Sequence, residues 1–125
     1  MIIGVGIDIV DIDVFRSRLT DELAEELFLP SEREYADSRA RSFESLAVRL
    51  AAKEAAFKAL GQGLSQGLSW KDVEVRRDES TGSVWLDLHG PAELLAKEKG
   101  VGATCLSMSH GKRSAIAVVI MEASE

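Results

Sequence analysis

The stretch that most constrains the fold runs roughly from Ser42 to Leu60 and is the most helical segment of the chain. It contains Ala-Ala-Lys-Glu-Ala-Ala-Phe-Lys-Ala-Leu over residues 51–60, and Gly61 then supplies a C-cap. Phe43, Leu46, Ala47, Leu50 and Phe57 recur at helical spacing, so one side of this helix faces a core. Glu54 lies four residues after Leu50 and three before Phe57, which draws its carboxylate towards the interior, where an unpaired charge is costly. It needs a partner there. Lys58 at i+4 would give a helix pair worth about 0.3–0.5 kcal/mol, and a bound cation is the alternative.

The remaining segments are mostly strands. Ile3, Val5, Ile7 and Ile9 alternate with Gly4, Gly6, Asp8 and Val10, which predicts a strand carrying one carboxylate. Glycine weakens a strand interior unless something approaches the backbone, so Gly4 and Gly6 point to a close neighbour or a ligand on the Asp8 face. Thr20 can cap a helix whose first turn holds Asp21 and Glu22, Pro30 ends it, and Ser31 with Glu34 has the spacing of a capping box for another short helix. Two hairpins follow, around a helix that opens at Gly90-Pro91 and closes at Gly100. The first pairs Val73–Arg76 with Val84–His89, and the second pairs Thr104–Ser109 with Ala115–Met121. Strands joined as hairpins imply an α+β fold, a largely antiparallel sheet with helices packed on it.

Composition narrows the class. The 125 residues carry 15 Lys+Arg, 21 Asp+Glu and 46% hydrophobic residues, with no repeat or low-complexity linker, which predicts a single domain over residues 1–125. Cys105 is the only cysteine, which excludes an internal disulfide and any multi-cysteine metal site and predicts a small buried apolar residue in a reducing, cytoplasmic setting. The longest apolar run, Ala115–Met121, is too short to span a membrane, and no basic residue precedes Arg16 to form a signal n-region. The net charge of −6 argues against nonspecific nucleic-acid binding. Between Ser38 and Lys58, however, Arg39, Arg41, Arg49, Lys53 and Lys58 face only Glu44 and Glu54, a local +3 suited to a phosphate, to an acidic partner or to a solvated basic face.

Ser-His-Asp order, Walker A loop, HExxH and CxxC are all missing from the sequence, and Gly4-Val5-Gly6 lacks the third glycine of a dinucleotide fingerprint. Asp8 in a strand with Glu54 and Lys58 on a helix leaves two carboxylates that could converge, a set that suits magnesium held together with substrate phosphates and water.

Three motifs then carry a resemblance: Gly6-Ile7-Asp8-Ile9-Val10, Arg49-Leu50-Ala51-Ala52-Lys53-Glu54-Ala55 with Lys58-Ala59-Leu60-Gly61, and Leu106-Ser107-Met108-Ser109-His110. In this order and over nearly the whole chain, they resemble the small, single-domain 4′-phosphopantetheinyl transferases, the holo-acyl-carrier-protein synthase family. The resemblance implies that family's fold and a magnesium-dependent reaction serving fatty acid biosynthesis. A serine of apo-acyl carrier protein attacks the pyrophosphate of coenzyme A, takes 4′-phosphopantetheine and releases adenosine 3′,5′-bisphosphate. It also implies a homotrimer with active sites between subunits. By position, Asp8 and Glu54 match the metal carboxylates and Lys58 the phosphate-region lysine, so these three are the candidate catalytic residues. Arg49, Lys53, Lys58, Gly61 and His110 are candidates for binding coenzyme A, with Gly63 a further point of backbone approach. His110 could equally be a strand-end histidine satisfied by backbone, Gly61 a plain helix cap, and Arg49 and Lys53 partners in helix-face salt bridges. Glu54 is the candidate base for the serine proton.

Three positions depart from the family pattern. Val14 stands where a carrier-gripping arginine is usual, with Arg16 and Arg18 nearby as substitutes; Gly82-Ser83-Val84 replaces a Gly-Lys-Pro turn; and Gly111 replaces an acidic residue after the histidine. Another magnesium-dependent phosphotransferase or a noncatalytic binding module are the competing readings.

Overall fold

The computed structural model describes residues 1–124. Along the chain these form β1 (Ile2–Asp11), α1 (Ile12–Arg18), α2 (Asp21–Leu27), α3 (Pro30–Asp37), α4 (Ser42–Leu60), β2 (Val73–Arg77), β3 (Val84–Leu88), α5 (Gly90–Glu98), β4 (Val101–His110) and β5 (Ser114–Ala123), with short 3-10 turns at Leu64–Gln66 and Trp70–Asp72. The architecture is the expected α+β, but its strands divide into two antiparallel sheets: β1-β5-β4, and the hairpin β2-β3.

The long helix sits where the alanines allow. Ala51, Ala52, Ala55, Ala56 and Ala59 of α4 are buried against the small inward side chains Ala117 and Val119 of β5. On β1 the fit is closer still: a Cβ on Gly4 would lie 2.1 Å from the Ala59 carbonyl oxygen, and one on Gly6 1.8 Å from that of Ala55. The close neighbour that the two glycines foretold is therefore α4, lying backbone to backbone on the strand. α4 ends at Gly61, whose φ of 78° and N–H bond to the Phe57 carbonyl make the left-handed cap expected of it.

Packing α4 on the glycine side turns the larger apolar face of β1 outwards. Val5, Ile7 and Ile9 are 57%, 54% and 65% exposed, and the β5 residues paired with them, Ile120, Val118 and Ile116, continue the same outer face. Cys105 also lies on this face and is exposed, so it is not the buried apolar residue expected.

The N-terminal helices differ from expectation in two places. Asp11 caps a helix, α1, that the sequence pattern did not single out, its carboxylate accepting the Val14 N–H at 3.0 Å. Pro30 opens α3 at its first position, and the reciprocal cap is made by Glu32, which accepts the Leu29 N–H at 2.8 Å, where Ser31 and Glu34 had been expected. Ser31 instead donates to Glu74 of β2.

Candidate functional site

Because the glycines bring α4 onto β1, the next inward residue of the strand, Asp8, meets the flank of the helix that carries Glu54 and Lys58. Lys58 Nζ donates to Asp8 Oδ1 at 2.9 Å and to the Ile7 carbonyl at 3.0 Å. The partner of Lys58 is thus the strand carboxylate and not Glu54. Burial, and then the neighbouring Asp8 carboxyl, push the Glu54 pKa up from 4.5 to about 8, against the opposing pull of Lys58. Asp8 Oδ2 is buried, and it lacks a hydrogen-bond donor unless the neighbouring Glu54 carboxyl is protonated. With both carboxylates ionised the cluster carries two negative charges, one ammonium and an orphaned acceptor, so it is completed either by a proton shared between the acids or by a cation.

The donor set fits magnesium. Among the described residues no three His, Cys, Asp or Glu side chains are grouped to hold a metal, so Asp8 and Glu54 are the protein ligands on offer and the remaining positions fall to water and phosphate oxygens.

Glu54 also lines a cavity of about 290 Å³ on the β1 edge, walled by Val14, Phe15, Leu23, Leu27 and Leu50 with Arg18 at its rim. The two arginines near the Val14 departure differ in freedom. Arg16 lies 4.8 Å from the Phe43 ring centroid and 3.8 Å from a Glu44 oxygen, whereas Arg18 has no carboxylate within ion-pair distance among the described residues.

The other candidates lie across the helix. Arg49 and Glu54 are five residues apart and Ser45 and Glu54 nine, which turns them about 140° and 180° away from one another round α4. Accordingly, Arg49 and His110 line a second cavity of about 390 Å³ with Tyr35, Arg39, Arg41 and Ser45, and neither Asp8 nor Glu54 reaches it. Arg49 is buried, donates to the Ser45 carbonyl and hydroxyl at 3.2 and 2.9 Å, and stacks over Tyr35; burial lowers its pKa from the ordinary arginine value. His110 is exposed at the end of β4.

Lys53 belongs to neither cluster. Its side chain is fully buried, 2.8 Å from a Glu32 oxygen, and its ammonium donates to the Trp70 and Val73 carbonyls. Glu32 in turn accepts the backbone N–H groups of Leu29 and Val75. This pair ties α3, α4 and β2 together and leaves Lys53 no path to a phosphate, contrary to the role its motif position suggested. Burial lowers its pKa from the ordinary lysine value, against the pull of Glu32. Gly61 is occupied as the helix cap, and a Cβ there would lie 3.5 Å from Lys99 Nζ. Glu32 and Tyr35 were missed by the sequence reading; Pro30 with an acid at the third helical position was the signal for Glu32.

Residues 4–119 match the family model described as the 4′-phosphopantetheinyl transferase superfamily. The chain is 48% identical over 126 residues to a holo-[acyl-carrier-protein] synthase of Geobacter sulfurreducens, covering 98% of each chain. It is also 48% identical over 124 residues to one of Treponema denticola, covering 98% of this chain and 99% of the relative. Among solved structures it is similar to a holo-(acyl-carrier-protein) synthase from Bacillus anthracis in complex with CoA (3′,5′-ADP), with a TM-score of 0.82, 35% identity and 99% of each chain covered. A synthase structure from Neisseria meningitidis aligns with a TM-score of 0.85 at 29% identity, over 98% of this chain and 99% of that one.

Proposed function

The chain belongs to the 4′-phosphopantetheinyl transferase superfamily, and on that premise we propose both its reaction and the work of each residue in it. It is a holo-acyl-carrier-protein synthase: it moves 4′-phosphopantetheine from coenzyme A to a serine of apo-acyl carrier protein and releases adenosine 3′,5′-bisphosphate. The observation that carries the reading is the convergence of Asp8, Glu54 and Lys58 from a strand and a helix, two carboxyls close enough to perturb one another beside a single ammonium.

Phosphoryl transfer asks the protein chiefly to position the reactants and to offset phosphate charge. Asp8 and Glu54 would hold a magnesium ion against the donor's pyrophosphate, where the ion would offset the charge that develops on the phosphoryl oxygens. Lys58, with its side chain 56% exposed, can turn its ammonium from Asp8 to a phosphate oxygen as a point charge. Glu54 is the group we assign to accept the proton of the attacking serine. The carrier approaches over the apolar cavity beside Glu54, with Arg18 available to its acidic surface.

The assembly we propose is a homotrimer with its active sites between subunits. Two features support it. The outer face of β1 and β5 is a sheet of Val5, Ile7, Ile9, Ile116, Val118 and Ile120 too apolar to suit water. Arg49 and His110 lie across α4 from Asp8, so they would meet the same coenzyme A only from a neighbouring subunit. We read residues 1–125 as one transferase domain serving fatty acid biosynthesis in the cytoplasm; no helix of the described residues is long and apolar enough to cross a membrane.

The test is the release of adenosine 3′,5′-bisphosphate. It should appear stoichiometrically with modified carrier when coenzyme A, apo-carrier and magnesium are all present. Release that ignores the carrier, or that persists in excess chelator, would refute the proposal.

A further inference from the structure

Glu54 lines the apolar cavity between α1 and α2, so whatever seats there lies next to that carboxylate. The two helices give the cavity walls of opposite charge. On the α1 side stands Arg18, with no carboxylate within ion-pair distance among the described residues. On the α2 side Leu23 and Leu27, one turn apart, face the cavity, and the rest of that helix is almost entirely acidic. Asp21, Glu22, Glu25 and Glu26 are all exposed, and none has a basic group within ion-pair distance among the described residues. At 3.6 residues per turn, Glu26 lies about 80° and Glu22 about 120° round α2 from the Leu23–Leu27 line, so these two flank the cavity while Glu25 stands on the far side.

The helix gains no stability from these charges. Glu25 and Glu26 occupy its last turn, where the helix dipole disfavours anions and no basic residue offsets them. Seven residues of helix span about 10 Å, so a partner seated on Leu23 and Leu27 lies within about one Debye length of Glu22 and Glu26. A docking face of one charge sign cannot suit both walls. An acid that pairs with Arg18 is attracted there, whereas the same charge carried round to α2 meets carboxylates.

We propose that α2 selects the carrier by charge. The acceptor that this chain docks places an apolar side chain in the cavity, an acidic group against Arg18, and lysine or arginine side chains against Glu22 and Glu26. The inference rests on the transfer reaction proposed above, which brings the acceptor's serine to Glu54. A carrier that is acidic over its whole docking face meets like charges along α2 and is disfavoured, and one of mixed charge is favoured.

Surface plasmon resonance of the full chain with a uniformly acidic apo-acyl carrier protein, and with variants of that carrier in which lysine replaces each exposed acid in turn, tests this. Glu26→Lys should tighten binding of the acidic carrier about fivefold or more at low salt, with the gain shrinking as salt is added. Glu98→Lys, at the exposed end of α5, changes the net charge equally and should leave binding within about twofold of the unmodified chain. At least one lysine variant of the carrier should bind the unmodified chain about fivefold more tightly than the acidic carrier does, and Glu26→Lys should cancel that gain. Glu22→Lys reads the same side of α2 if Glu26→Lys fails to fold. An acidic carrier bound no better after Glu26→Lys than after Glu98→Lys, or a set of lysine variants of which none binds more tightly, overturns the inference. Charge-selective docking with no phosphopantetheine added in a parallel mass assay would instead overturn the transfer reading alone.

Discussion

Replacing Lys53 separates the two roles that its motif position allows. The Lys53 and Glu32 side chains are both fully buried and 2.8 Å apart, and Glu32 also holds the backbone N–H groups of Leu29 and Val75. Lys53→Met keeps the bulk of the side chain but leaves a buried carboxylate without its counter-ion, a change that costs about 3–5 kcal/mol. Against a total stability of roughly 6–19 kcal/mol for a chain of this length, that is a large fraction. In urea denaturation followed by tryptophan fluorescence it amounts to a drop in midpoint of roughly 2–3 M, at a slope of about 1.5 kcal/mol/M. Adding Glu32→Gln removes the charge and should recover part of the loss, a non-additivity expected of residues in direct contact. A deficit below about 1 kcal/mol together with weakened coenzyme A binding would refute this reasoning and return Lys53 to the phosphate role.

Further expectations follow from the same geometry. Gly6→Ala places a Cβ 1.8 Å from the Ala55 carbonyl oxygen, where neither backbone can yield cheaply, and should cost about 3 kcal/mol or more by thermal unfolding. Glu54 holds its proton up to a pH of about 8 when folded and 4.5 ordinarily, so between those values the folded chain binds the extra proton. The metal-free protein should therefore lose stability as pH rises through that window, and magnesium should bind about tenfold more weakly for each pH unit below 8, releasing a proton measurable by calorimetry in buffers of different ionisation enthalpy. Arg18→Glu should weaken carrier binding more than Arg16→Glu in surface plasmon resonance, because Arg16 is already engaged by Phe43 and Glu44; equal losses would contradict that division. Ile7→Glu, on the exposed apolar face, should shift sedimentation towards monomer and abolish transfer while Asp8 remains in place.

The sequence was most informative where one local rule sufficed. The bounds of α4 and its Gly61 cap follow from propensity and a single left-handed residue, and Asp8, Glu54 and Lys58 could be named because a resemblance and a helical spacing pointed to the same positions. What escaped depends on contacts between distant segments. The Lys53–Glu32 pair joins residues 21 apart in sequence, and its inward direction is set by how α3 and β2 close over α4. Arg39, Arg49 and Arg77, which lie over the Tyr35 ring, come from three segments that no periodicity could associate. The division into two sheets likewise depends on how the hairpins dock and not on any strand's own pattern.

The most direct test is the intact mass of apo-acyl carrier protein after incubation with coenzyme A, magnesium and the unmodified chain, Asp8→Asn or Glu54→Gln. One phosphopantetheine added by the unmodified chain, and none by either folded variant, is the predicted result. Carrier modified at an undiminished rate by either variant would contradict the assignment of the two carboxylates to the reaction.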